Sequence, residues 1–139
     1  MTAFDTDVLS SILLGHEPTV QRASAIPLAE QFVPIVAIEE ILRGRLNAVR
    51  LAESGQGKLD IAGIYRVLEL TVLAFRGLNV MSYSPPAEAQ FQSWRQQKVR
   101  VSTHDLRIAA ICVTHGATLV SRNRRDYERV PGLTVEFWP

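Results

Sequence analysis

Residues 101–138 read VSTHDLRIAAICVTHGATLVSRNRRDYERVPGLTVEFW, and the order of signals in this stretch decides the fold class. Ser102 or Thr103 stands where a helix N-cap is wanted, directly before the apolar stripe Leu106, Ile108, Ala109 and Ile111. His115-Gly116 closes that helix, with glycine at the usual C-terminal position. ATLVS, 117–121, reads as a strand. Arg122–Arg129 reads as a short helical turn, and LTVEFW, 133–138, as a last strand. A helix feeding a strand, a turn and another strand is the grammar of an α/β fold.

The same alternation continues toward the N-terminus. TAF is a short β-compatible start, buried only if it lies at the sheet centre. Val8, Leu9, Ile12 and Leu13 recur at helical spacing from Thr6 onward, and a second helix is expected over Gln21–Leu28. FVPIVAI, 32–38, reads as a strand, with Pro34 at an edge or a strand start. Glu39–Leu51 reads as a helix, 55–57 as a turn, Leu59–Phe75 as a helix and LNVMSY, 78–83, as a strand. Pro85 and Pro86 open a helix over about 87–97. The expectation is one domain over residues 1–139, with a mainly parallel sheet of about four or five strands flanked by helices.

Composition narrows the class. The chain has 139 residues, 47% of them hydrophobic and 21% charged, with a formal charge of +1. One cysteine, Cys112, excludes an internal disulfide framework and a Cys-rich zinc site. Its apolar runs fall far short of the ~20 residues of a membrane span. Asp5 and Asp7 stand where a signal peptide carries bases, so a cytoplasmic location without membrane contact is expected. The charge is uneven. Residues 1–30 hold four acids and one base, whereas 94–129 hold eight bases and three acids. A basic stretch beside gathered acids suits a polyanion handled at a cation-filled site.

The acids fall where a parallel sheet binds ligands, outside the carboxyl ends of its strands. Asp5 and Asp7 follow the first expected strand, Glu39 and Glu40 the second, and Asn123 and Asp126 follow ATLVS, while Asp105 enters from a helix start. Gathered carboxylates repel, and burial raises their pKa values; a divalent cation relieves both costs. An all-oxygen set favours Mg²⁺ or Mn²⁺ over zinc. Each residue also has an ordinary structural use. Asp5 or Asp7 can cap a helix. Ser102-x-x-Asp105 matches a capping box. Glu39 and Glu40 suit a first turn, and Asp126 can pair with Arg122 or Arg129 at the surface.

Three blocks carry a family resemblance: FDTDVLS (4–10), VAIEEILRG (36–44) and the long stretch from Val101 to Trp138. Together they resemble the PIN-domain ribonucleases, and the compact length resembles the VapC toxins of toxin–antitoxin pairs. The match runs from residue 3 to 138, and its third block is the specific part. The resemblance implies a PIN-like three-layer sandwich and metal-dependent hydrolysis of RNA. Asp5, Glu40 and Asp105 would be the metal-holding core, with Asp126 next among the catalytic acids. Asp7, Ser121 and Asn123 would support them, and Arg122, Arg124 and Arg125 would contact RNA phosphates. The implied partners are an RNA substrate, a VapB-like antitoxin and a second copy of the chain in a homodimer. Many relatives carry an aspartate at the position of Asn123, so the fourth acidic role passes to Asp126 or a second metal binds weakly.

Two other readings compete. A PIN-like module that has lost its metal would bind RNA or protein without catalysis, and Asn123 motivates it. A response-regulator-like fold also places acids at strand ends, but it expects a strand-end lysine, and the two lysines here are Lys58 and Lys98. Elsewhere, Cys112 reads as core and Trp138 as a cover over the sheet end. Phe91 and Trp94, which could stack on RNA bases, read instead as one helix face packed on the core or on a dimer partner, His104 as an exposed first-turn residue and His115 as a helix C-terminal cation.

Overall fold

A computed structural model describes residues 1–55 and 60–139. Five strands form the sheet: β1 (Thr2–Phe4), β2 (Gln31–Pro34), β3 (Val80–Met81), β4 (Thr118–Ser121) and β5 (Val135–Phe137). Their order is β3-β2-β1-β4-β5, and every pairing is parallel. Among the described residues, seven α-helices connect and cover them: α1 (Thr6–Leu13), α2 (Glu17–Ser24), α3 (Ile35–Glu53), α4 (Ile61–Phe75), α5 (Pro85–Gln96), α6 (Thr103–His115) and α7 (Arg124–Tyr127). The first two crossovers step from β1 to β2 to β3, and the third returns past β1 to β4. Right-handed crossovers therefore place α5 and α6 on the face opposite α1 and α2, and α3 meets both α1 and α6. The reversal lies between β1 and β4, so the crevice at their carboxyl ends is the switch point of the sheet.

TAF is indeed central, and Ala3 and Phe4 are buried. The helix ends follow local chemistry. Asp5 caps α1 through its side chain, and Ser102 caps α6. Gly116 ends α6 at φ +66°, a left-handed conformation that costs glycine little.

Several boundaries differ from expectation, among them the third strand, which spans Val80–Met81 rather than 78–83. The second helix spans Glu17–Ser24 rather than Gln21–Leu28, because Pro18 sits inside its first turn, where a missing N–H costs nothing. The second strand ends at Pro34 and passes straight into α3. Val36, Ala37 and Ile38 are the buried start of that helix, and a short continuous apolar run does not distinguish a buried helix from a strand. Pro34 is also not at an edge or a strand start. It closes an interior strand, paired with Met81 and capping α3. The expected turn at 55–57 and helix start at Leu59 fall partly on 56–59, outside the described residues.

One apolar cluster joins the sheet to α1, α3, α5 and α6. Cys112, Phe91, Trp94 and Trp138 all belong to it, so these aromatic rings are packing groups. Burial pushes the Cys112 thiol up to about 12, which keeps it protonated and unreactive. Among the described residues, no helix is long and apolar enough to cross a membrane.

Candidate active site

The chain reaches the switch point at Asp5, whose backbone N–H donates to the Val120 carbonyl at 3.1 Å. The side chain is 5% exposed and both its oxygens are engaged. Oδ1 accepts from the Val8 N–H at 2.9 Å, and Oδ2 accepts from the hydroxyl of Ser121, itself fully buried at the end of β4. Asp5 is thus both the helix cap and a site carboxylate, because its two oxygens point to different partners. Burial raises its pKa to about 6, against the pull of the Ser121 and Val8 hydrogen bonds, and the negative charges of Asp7 and Asp105 add to the rise.

Asp105 approaches from α6. Only half of a capping box forms: Ser102 Oγ accepts from the Asp105 N–H at 3.4 Å. The Asp105 carboxylate instead accepts from Asn123 Nδ2 at 3.3 Å and from the Tyr127 hydroxyl at 3.2 Å. Tyr127 is buried, and burial together with the Asp105 charge holds its hydroxyl protonated well above the usual tyrosine range. Asn123 also donates to Asp126 Oδ2 at 2.9 Å, while its N–H donates to Ser121 Oγ. Its amide therefore ties Asp105 to Asp126, and its backbone ties this group to the Asp5–Ser121 pair. Asp126 forms no ion pair with Arg122 or Arg129 among the described residues.

Glu40 is carried by α3, and its Oε1 accepts from Thr6 Oγ1 at 2.6 Å. Thr6 is the residue after Asp5, so Glu40 is anchored one position from the buried carboxylate. Glu39 turns elsewhere, pairing with Arg43 and lying 3.4 Å from His104 Nε2. His104 is accordingly engaged with an acid rather than free. Asp7 is exposed in the first turn of α1 and acts on Asp5 through its charge.

The arginines separate. Arg122 is a structural clamp: its guanidinium donates to Ser11 at 2.8 Å, to Thr19 at 2.6 Å and to the Pro139 carbonyl at 3.0 Å. Each of its three nitrogens donates to one of these partners, which fixes its position beside the end of β4. Arg124 pairs with Glu128 and lies 4.3 Å above the Phe137 ring, and Arg125 is exposed. Thr6 and Tyr127 are the two site residues that the sequence reading does not single out. Their signal is position: each directly adjoins a singled-out acid and carries a hydroxyl.

Among the described residues, no three His, Cys, Asp or Glu side chains lie close enough together to hold one metal ion. The donors nonetheless suit a hard cation. They are oxygens, and the Asp5 carboxylate carries a charge that its surroundings disfavour. Mg²⁺ keeps several waters and needs only one or two protein carboxylates, so a complete three-acid cage is not required.

The PIN domain family model matches residues 3–133. Ribonuclease VapC1 of Rickettsia felis is 42% identical over 132 residues, covering 94% of this chain and 91% of that protein. The crystal structure of DNA-bound VapBC from Salmonella typhimurium superposes with a TM-score of 0.75 at 18% identity, covering 99% of this chain and 98% of that one. VapBC2 from Rickettsia felis, bound to a fragment of its promoter, gives a TM-score of 0.74 at 17% identity over 99% and 98% of the two chains. With a buried aspartate at the switch point, acids from α3, α6 and α7 around it, and a family match along nearly its whole length, the chain belongs to the PIN-domain family and to its VapC ribonucleases.

Proposed function

We propose that this chain, acting as a single PIN domain, is a Mg²⁺-dependent endoribonuclease and the toxin of a toxin–antitoxin pair, restrained by a VapB-like antitoxin. VapC ribonucleases of the PIN family are generally dependent on a divalent metal. The observation that carries the reading is the buried Asp5 carboxylate, fixed by Ser121 and Val8 beside Asp105 and Glu40. Asp5, Asp105 and Glu40 would hold the ion between them, one or two directly and the rest through its waters, with Asp126 next and Asp7 adding negative charge. A bound divalent ion supplies an activated water and charge neutralisation at the scissile phosphate. The protein's own groups orient that chemistry. Ser121 fixes one oxygen of Asp5, Thr6 holds Glu40, and Asn123 with Tyr127 holds Asp105. Removing such a supporting partner commonly changes metal affinity or activity by about 10–100-fold. Arg124 and Arg125 stand at the same end of β4 and supply positive charge for a phosphate backbone, a sequence-independent contact.

The decisive experiment measures RNA cleavage by purified protein with Mg²⁺ and with EDTA. Cleavage by the wild type stops on chelation. Asp5→Ala and Asp105→Ala each lower the rate by more than about a hundredfold, beyond the effect of removing a supporting partner. Wild-type rates in Asp5→Ala protein overturn the assignment. A second reading, a metal-free binding module, is favoured by the amide at Asn123 and by the lack of a ready three-acid group among the described residues. It predicts no cleavage and no thermal shift with Mg²⁺. The nuclease reading predicts stabilisation of about 2.7 kcal/mol at a hundredfold excess over Kd. The twofold partner expected of the chain is checked by its mass in solution.

A further inference from the structure

A second cationic site lies on the other side of the α6 N-terminus. Thr103 and Arg107 are four residues apart and share one face of α6, whereas Asp105 between them turns toward α7. That face meets α5, and the two helices enclose an open groove of about 500 Å³ lined by Phe91, Gln92, Arg95, Gln96, Thr103 and Arg107. Its floor is the buried Phe91 ring, with two guanidinium groups against it: Arg107 at 4.9 Å and Arg95 at 5.6 Å. Arg107 also lies 6.0 Å from the Tyr83 ring. Stacking of this kind fixes the guanidinium plane and leaves its edge N–H groups to meet an acceptor.

Those donors are underused. Arg107 Nε is buried and has no hydrogen-bond partner, and Arg95 makes one long hydrogen bond, to Thr103 Oγ1 at 3.4 Å. Neither arginine forms an ion pair among the described residues. Glu88, the acid of α5, is hydrogen-bonded to Tyr83 and Gln92, and the Arg107 charge acts on it without an ion-pair contact. From 89 to 104 the sequence contains no acid, but it contains Arg95, Lys98 and Arg100. Nε itself is closed off from the groove, so a ligand oxygen would be met by the terminal nitrogens of Arg107, which have no hydrogen-bond partner among the described residues.

We infer that the Arg95–Arg107 groove is a phosphate-binding subsite for the single-stranded RNA backbone, flanking the acidic site across the first turn of α6. A helix with its side chains is about 10 Å across, so one strand passing over that end meets both faces. This inference rests on the ribonuclease reading and assigns two positioning residues to its substrate.

The test is fluorescence anisotropy with a labelled short single-stranded RNA and the full chain in EDTA, where no divalent ion supports cleavage. The Arg95→Gln, Arg107→Gln and Arg107→Lys variants and the double glutamine variant are compared at several salt concentrations. The double glutamine variant is expected to bind about tenfold more weakly. Its slope of log Kd against log salt falls by about 0.7 for each phosphate that the protein no longer neutralises. Arg107→Lys restores the slope but not the full affinity, because ammonium lacks the planar fork. Arg95 is exposed, so Arg95→Gln still decides the question if Arg107 variants misfold. Unchanged affinity and slope in these variants, with Asp5→Ala protein inactive, overturns the subsite and leaves the nuclease reading standing. A wild type that does not bind RNA in EDTA overturns the subsite, while the nuclease reading is decided separately by cleavage in Mg²⁺.

Discussion

Helices α6 and α4 are both strongly apolar, yet they end in opposite environments. In α6, Leu106 and every residue from Ile108 to Cys112 have no solvent exposure. In α4, which carries more large aliphatic side chains, the buried residues are Ile64 and Thr71, and Leu70 is 49% exposed. The difference is one of neighbours. α6 is surrounded by α3, α5, α7, β2 and β4, whereas α4 packs chiefly against α3. Hydropathy thus marks a helix as apolar without saying how many partners the fold will give it. The consequence for the site is direct: Asp105 rides on the helix that is held from every side, so its carboxylate is positioned by a rigid element.

The sharpest way to break this comparison is to open a cavity in α6. Leu106→Ala should lower stability by about 3 kcal/mol, read from denaturant midpoints at constant m-value. A change below about 1 kcal/mol would show that α6 is not tightly packed. The next effect concerns the buried carboxylate beside α6. The folded-state pKa of Asp5, about 6, lies above its ordinary value of 3.8. The folded, metal-free protein therefore binds this proton more tightly than the unfolded chain. The stabilising contribution is full below about pH 4 and is lost as pH rises through about 6. The decrease is about 3 kcal/mol at most. Melting in EDTA across this range checks the slope, and Asp5→Asn removes this contribution to it.

A smaller effect is expected at the end of the same helix. Gly116→Ala forces a left-handed conformation on a residue with a Cβ and should cost about 1 kcal/mol, although its Cβ would meet no neighbour. The smallest is the matching change on α4: Leu70→Ala should stay within about 0.5 kcal/mol. If Leu70→Ala costs as much as Leu106→Ala, the contrast between the two helices is false.

Much of the fold is legible because its signals are local. The stripe Leu106, Ile108, Ala109 and Ile111, the cap Ser102 and the stop at Gly116 lie within or directly beside one helix of 13 residues, and α6 forms where they predict. The alternation of strands and helices points to the α/β class, and the parallel sheet follows from it. The end of the second strand is not legible, because the apolar residues after Pro34 serve burial equally well as helix or strand. At the site, the blocks around Asp5, Glu40 and Asp105 are legible by resemblance, and all three acids lie at the carboxyl end of the sheet. The separate fates of Glu39 and Glu40 are not legible, since adjacent residues on a helix point about 100° apart and only the neighbouring Thr6 selects one of them.

The amino-acid sequence alone determined the local elements, because helix period, caps and turn glycines act over a few residues. It also determined the inventory of oxygen donors, which is a matter of composition. Tertiary structure alone decided how those donors are used. Ser121 meets Asp5 across 116 positions of sequence, and Arg122 joins Ser11, Thr19 and Pro139. Contacts between segments so far apart depend on strand order and helix packing, and no short-range pattern encodes them.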